Sequence, residues 1–167
     1  MRTEHEIKYA IDAYSDTVRR LCFVYLKNHA DTEDIFQNVF IKYAYYDKEF
    51  ESREHEKAWI IRVTINQCKD LLKSFFHANA VLTDEYEAFE GVNGEQCERE
   101  AQLNSRVLEA VTALPKKYKV PIYLHYIEGY SAVEIGKLMR KNVNTIYTNL
   151  DRGRKMLKVT LERGEVE

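Results

Sequence analysis

Arg62, Asn66, Lys69 and Lys73 recur at spacings of four, three and four, which places them on one strip of an α-helix. Cations with one amide among them suit a phosphate backbone and the edge of an unstacked base. The pattern equally fits a solvated helix face on which Asn66 is a passive member. A second group lies towards the other end: Asn144, Thr145, Tyr147, Thr148, Asn149 and Arg152, followed by Arg154, Lys155 and Lys158. Amides and hydroxyls at a helix start can bond base edges in a DNA groove, and arginines and lysines can bind phosphates. The alternative there is a helical hairpin that packs on another protein.

No grouping supports catalysis. His5, His29, His55, His77 and His125 are scattered without metal-ligand spacing, and no H-E-x-x-H occurs. Gly91 and Gly94 lie in an acidic stretch rather than after a strand, so no phosphate-cradling loop is expected. Cys22, Cys68 and Cys97 make neither a metal quartet nor a disulfide framework, which points to a reducing cytoplasm. No enzyme, cofactor, metal or small-molecule substrate is therefore expected. The start, Met1 to Glu6, is polar and carries no signal peptide. No apolar run approaches the roughly 20 residues needed to cross a bilayer, so no direct membrane insertion is expected.

The elements that must hold these side chains are helical. Ile7, Ile11, Tyr14, Val18, Leu21 and Tyr25 form one helix face. Asn28-His29-Ala30 interrupts it, and Asp31 is the expected N-cap of a second helix, with Phe36, Val39, Phe40 and Tyr43 as its buried stripe. Asp47 to Lys57 reads as a loop, and Ala58 to about Phe76 as a third helix with two apolar sides. Ile60, Val63 and Leu71 make one side, and Ile61, Ile65, Cys68 and Leu72 the other. Residues 77–104 lose the pattern and carry Asp84, Glu85, Glu87, Glu90, Glu95, Glu98 and Glu100, which reads as a linker. Helical spacing returns at Leu103, Val107, Val111 and Leu114, and Pro115 stands where helices commonly start. Val120, Leu124 and Ile127 continue an apolar face.

The net charge of −2 hides a division along the chain. Residues 1–74 carry −1, residues 75–114 carry −6 and residues 115–163 carry +7. The basic block sits on a second helical lobe. Ser131 with Glu134 gives a capping box, Ile135, Leu138 and Met139 a core face, and Gly136 room for a close neighbour. Arg140-Lys141-Asn142 forms a polar turn, and Asn144-Thr145 opens a last helix that buries Ile146, Leu150 and Leu157. Two helices, a tight turn and a basic second helix match a helix-turn-helix. The fold class is thus all-α: a three-helix lobe over 1–76, an acidic linker over 77–104 and a helix-turn-helix lobe over 105–163. A stand-alone regulator would share the second lobe but leaves the Arg62–Lys73 strip without a task.

Trp59-Ile60-Ile61-Arg62-Val63-Thr64-Ile65-Asn66, with Asp70 and Lys73, resembles the promoter-melting helix of the extracytoplasmic-function (ECF) group of RNA polymerase sigma factors. Asp31 to Phe40 resembles that family's polymerase-binding helix. Leu114-Pro115, Tyr130 to Gly136 and Val143-Asn144-Thr145-Ile146 resemble its second DNA-binding domain. The resemblance implies a factor that binds core RNA polymerase and directs promoter-specific initiation. Glu33, Asp34, Gln37 and Asn38 would dock on the clamp helices of the largest polymerase subunit. The 47–57 loop and the strip of Arg62, Asn66, Lys69 and Lys73 would capture a flipped-out base of the −10 element. The linker would thread the channel later used by RNA. Asn142, Asn144, Thr145, Tyr147, Thr148, Asp151 and Arg152 would meet the −35 element, and His125 matches a phosphate-contacting arginine position. An anti-sigma factor is a further implied partner. The chain departs from the usual motif at Asn38, Asn142, Asn144, Tyr147, Asn149 and Asp151, all in DNA- or polymerase-facing stretches. A carboxylate at Asp151 would repel phosphate unless it accepts from a cytosine amino group. Fewer cations release fewer counterions, so intrinsic DNA affinity is expected to be weak.

Overall fold

In a computed structural model, which describes residues 1–78 and 105–166, each helix of the first stretch starts at a side-chain cap. Helix α1 (Glu4–Leu26) carries a full capping box: Glu6 N–H donates to the Thr3 hydroxyl at 3.2 Å, and Thr3 N–H donates to the Glu6 carboxylate at 2.8 Å. Those bonds hold the Glu6 carboxyl below its usual pKa, the backbone bond from Thr3 contributing most. Helix α1 ends at Lys27 in the left-handed region, with φ 50°. Helix α2 (His29–Tyr45) is capped by Asn28, whose side-chain oxygen accepts from Asp31 N–H at 3.2 Å. Asp31 is therefore not the cap but a first-turn residue. An Asn three residues upstream offers the same acceptor without a charge to desolvate.

Helix α3 spans Arg53–Ala78, five residues longer at its start than the charge pattern suggested. Ser52 accounts for the difference. Its hydroxyl accepts from His55 N–H at 3.1 Å, and Glu54 and Glu56 complement the helix dipole in the first turn. The loop between α2 and α3 shrinks accordingly to residues 46–52. His77 and Ala78 continue α3, and the rest of the expected linker lies outside the described residues. Clustering of contacts divides the chain into two compact units, Met1–Cys97 and Glu98–Glu167.

In the first unit α1, α2 and α3 all pack against one another. Val18, Leu21, Cys22, Val39, Ile60, Ile61, Ile65 and Cys68 are completely buried. Of the two apolar sides expected on α3, the Ile61 side is the more deeply buried; Val63 and Leu71 are half-exposed. One carboxylate lies inside this core. Glu56 is 3 % exposed and accepts from Tyr14 Oη at 3.1 Å, from Tyr43 Oη and from Arg53 Nη1 at 2.9 Å. Burial, reinforced by that carboxylate, raises the pKa of both tyrosines, so their hydroxyls remain donors.

The second unit contains α4 (Ser105–Thr112), α5 (Lys116–Ile122), α6 (Ala132–Met139) and α7 (Val143–Val166). Pro115 precedes α5 as its N-cap rather than its first turn. Pro121 lies inside α5 and has no N–H for the i−4 carbonyl. The chain then widens into a π-helical stretch, Tyr123–Ile127, closed by Glu128 N–H donating to Tyr123 O at 3.3 Å. Gly129, at φ +82°, turns the chain into α6. Ser131 caps α6 by accepting from Glu134 N–H at 3.2 Å, but Glu134 returns to the Ser131 hydroxyl, not to its backbone. Only half of the expected capping box forms.

Replacing Glu56 with Ala strips two buried tyrosine hydroxyls of their acceptor. The expected loss is about 3 kcal/mol of unfolding free energy for the first unit. Urea denaturation followed by Trp59 fluorescence measures it, and a loss below about 1 kcal/mol would show the hub to be dispensable.

Candidate nucleic-acid interface

An aromatic cluster lies where the 46–52 loop meets α3. Tyr46 stacks against Phe50 with ring centroids 5.3 Å apart, and Trp59 approaches Tyr46 at 4.5 Å and Phe50 at 5.7 Å. From Trp59 one face of α3 continues through Arg62, Val63, Asn66, Asp70 and Lys73 at three- and four-residue steps. Asn66 and Lys73 are exposed, while Arg62 and Lys69 are half-buried, so the strip expected from spacing is present as a graded surface. Asp70 adds a carboxylate to it. A cavity of about 440 Å³ opens beside the loop, between Arg2, Tyr9, Tyr43, Phe50, Arg53 and Glu56. None of the four strip residues lines it. The loop and the Asn66 strip are thus joined through Trp59 rather than through a shared cavity.

Helix α2 presents a different face. Asp34, Gln37 and Asn38 are exposed, and along the same side Ile41 and Tyr45 are 54 % and 70 % exposed. Two large apolar groups thus stand in water beside a carboxylate and two amides. Glu33 stands apart from them. It pairs with Arg19 of α1 at 3.5 Å, and the Arg19 guanidinium lies 4.2 Å from the Phe36 ring centroid. Ile41 and Tyr45 were missed by sequence reasoning. The steps of four, three and four along Asp34, Asn38, Ile41 and Tyr45, outside the buried stripe, were the available signal.

In the second unit α6, the turn and α7 form the helix-turn-helix. Gly136 has no room for a Cβ: such an atom would lie 2.9 Å from Lys141 O, and Lys141 N–H donates to Gly136 O at 2.9 Å. Arg140 closes α6 in the left-handed region at φ 55°. Asn142 caps α7 by accepting from Asn144 N–H at 2.8 Å, and its side chain is exposed. Asn144, Thr145, Tyr147, Thr148, Asp151 and Arg152 are exposed, whereas Asn149 is 7 % exposed and faces inward. Asn149 thus leaves the set of outward residues, because it lies three residues after Ile146 on the buried side. The Thr148 hydroxyl donates to Asn144 O at 3.0 Å. His125 is half-buried on the π-helical stretch, its Nδ1 2.7 Å from Tyr130 O, so it braces the turn into α6.

The cations of α7 are partly engaged already. Asp151 pairs with Lys155 at 3.2 Å and Arg154 at 3.3 Å, and these, Lys155 foremost, hold its carboxyl below the usual range. Lys117 and then Arg152 bear on the Tyr118 hydroxyl and lower its pKa. Among the described residues no group of His, Cys, Asp and Glu is placed to hold a metal ion. No helix among them is long and apolar enough to cross a membrane.

Sequence comparison matches residues 10–74 to sigma-70 region 2 and residues 104–157 to sigma-70 region 4. The chain belongs to the sigma-70 family, within the ECF group of RNA polymerase sigma factors, non-enzymatic proteins that work with core polymerase. It directs promoter-specific initiation, region 2 serving the −10 element and region 4 the −35 element. It is 27 % identical over 161 residues to ECF RNA polymerase sigma factor SigW of Bacillus subtilis, covering 90 % of this chain and 86 % of that one. It is 28 % identical over 147 residues to RNA polymerase sigma factor SigV of the same organism, covering 88 % and 86 %. Among solved structures, CnrH in complex with the cytosolic domain of CnrY aligns with a TM-score of 0.63 at 17 % identity, covering 96 % of this chain and 90 % of that one. RpoE of Bartonella quintana, solved with the anti-sigma factor NepR, gives 0.62 at 14 % identity, covering 94 % and 97 %.

Helix α7 lies close enough to α5 that a Cβ on Gly153 would stand 2.7 Å from Ile122 Cγ1 and 3.2 Å from Tyr118 Cβ. Ile122 is completely buried and cannot give way. Overpacking costs about 1–3 kcal/mol, against about 1 kcal/mol gained by replacing a helical glycine. Gly153→Ala should therefore lower the thermal midpoint of the second unit. A raised midpoint would mean that α5 and α7 can separate without loss.

Proposed function

We propose that the residues singled out divide the labour of initiation between the two units. The observation that carries this reading is the α3 face, an exposed amide and cations continuing directly from the Phe50–Tyr46–Trp59 cluster. Flipping a base from duplex costs a few kcal/mol. Stacking on an aromatic contributes about 1–3 kcal/mol per base, and the Asn66 amide adds edge hydrogen bonds. Arg62, Lys69 and Lys73 track the strand's phosphates. The Asp34–Asn38 side of α2, extended by Ile41 and Tyr45, meets core polymerase, with Glu33 supporting it through Arg19.

On the second unit Asn142, Asn144, Thr145, Tyr147 and Thr148 meet base edges of the −35 duplex, and Arg152 and His125 its phosphates. The Asp151 carboxylate, held by Lys155 and Arg154, reduces the positive field of α7. DNA affinity is then low until polymerase holds both units on one promoter. Residues 1–76 and 105–163 serve as the two working domains and 77–104 as the acidic linker. Work with core polymerase supports a cytoplasmic location. The likeness to a sigma factor solved with an anti-sigma factor supports a protein inhibitor that covers these faces.

Mixing the purified chain with core polymerase and promoter DNA tests this. Strong co-migration with polymerase, weak binding to DNA alone and polymerase-dependent initiation are expected. Tight DNA binding without initiation would instead describe a stand-alone regulator. Asn66→Ala should slow promoter opening by about tenfold or more, since the lost contact is made to an exposed base, and leave polymerase affinity unchanged. Equal loss of both would make Asn66 a structural residue.

A further inference from the structure

We propose that Arg2 is a positioning residue for promoter opening, fixing the 46–52 loop so that Phe50 and Tyr46 stay stacked against Trp59. The inference rests on the reading that this loop and the α3 face take the −10 strand. Arg2 is held at both ends. Its backbone N–H donates to Ala44 O at 2.8 Å, and its guanidinium donates to Lys48 O at 2.7 Å. The guanidinium carbon lies 4.7 Å from the ring centroids of both Tyr43 and Phe50 and 5.9 Å from that of Tyr46. Glu6 closes the arrangement at 3.4 Å.

Two features separate this from an ordinary surface arginine. The side chain is only 11 % exposed, rare for a residue type that normally stays in water. Among the described residues, Lys48 is the member of loop residues 47–50 that hydrogen-bonds, and its partner is Arg2. Both ends of the loop are tied, Tyr46 N–H donating to Tyr43 O at 3.2 Å and Glu51 N–H to His55 Nδ1 at 3.1 Å, but residues 47–50 between them sample many conformations unless something outside them fixes one. A planar guanidinium can bond the carbonyl while its two faces lie on two rings, whereas a compact ammonium has no flat faces to sandwich between them. The cation therefore acts on the aromatic cluster, and through it on the surface offered to an unstacked base.

The test uses the full chain, free and with core polymerase. Trp59 is the chain's single tryptophan and sits inside the cluster, so its fluorescence reports the loop without any DNA. Arg2→Ala should expose Trp59 to acrylamide quenching, leave polymerase affinity unchanged and slow promoter opening by about tenfold, as expected when a binding surface is displaced. Arg2→Lys, which keeps charge and stem and preserves folding if Arg2→Ala does not, should show the same defect. In a Phe50→Ala background Arg2→Ala should add nothing further. Unchanged quenching, normal opening, rescue by lysine or additive losses would each overturn the proposal. Normal opening by Phe50→Ala alone would instead remove the base-capture reading on which it rests.

Discussion

The buried carboxylate of Glu56 is the constraint on which the first unit depends. Three elements meet at it: Tyr14 brings α1, Tyr43 brings α2, and Glu56 itself belongs to the first turn of α3. Removing a carboxylate from water costs several kcal/mol, and three donors, one of them a guanidinium, offset that cost only when all are in place. The arrangement is therefore demanding of geometry in a way that a leucine cluster is not. It sets the rotation of α3 about its axis, and that rotation determines which residues emerge at Trp59, Asn66 and Lys73. Arg53 extends the hub outward by lying 3.9 Å from the Tyr9 ring centroid. The deeper apolar contacts, among them Cys22 and Cys68 with sulfurs 3.9 Å apart, supply most of the burial but little of this directional control.

The second unit solves a different problem, bringing helices close enough to project a short helix-turn-helix from a small core. It does so by omission of atoms. Gly136 admits the Lys141 carbonyl and Gly153 admits the Ile122 side chain. Pro121 removes a backbone bond and is followed by a wider helical stretch that carries His125 against Tyr130 O. Each device fixes where α7 lies relative to α5 and α6, and hence which of its side chains point outward. Asn149 is the consequence: an amide in a stretch of DNA-facing residue types that nonetheless lies inside.

Much of this was legible in the sequence because helical spacing and burial obey the same periodicity. Ile61, Ile65, Cys68 and Leu72 on α3, and Ile135, Leu138 and Ile146 in the helix-turn-helix, could be assigned from spacing alone. The caps were read less well. Asp31 and Asn28 are both good N-caps, and only three-dimensional geometry decides between them. A run of charges hid the start of α3, because Ser52 and two dipole-compensating glutamates look like a loop when no apolar residue is nearby. The Glu56 hub was invisible for a more basic reason. Its two tyrosine partners lie 42 and 13 residues away, and an arginine three residues before it does not by itself announce a buried carboxylate. The Arg2 contacts share that property.

The electrostatics of the two units explain why neither should act alone. Residues 115–163 carry a net +7, yet on α7 Asp151 engages both Arg154 and Lys155. On the proposed reading, a phosphate contact by Arg154 or Lys155 must first loosen such a pair, which reduces the counterion release that drives DNA binding. On α3 the cations are interrupted by Asp70, and on the proposed reading the aromatic cluster serves only a base already out of its stack. Duplex DNA offers no such base until polymerase strains it. Binding to polymerase turns the second DNA contact into an intramolecular event, whose effective concentration can exceed what either weak surface would need in solution. Weak surfaces of this kind favour promoters over the excess of other DNA, because two modest sequence-dependent contacts must be satisfied together.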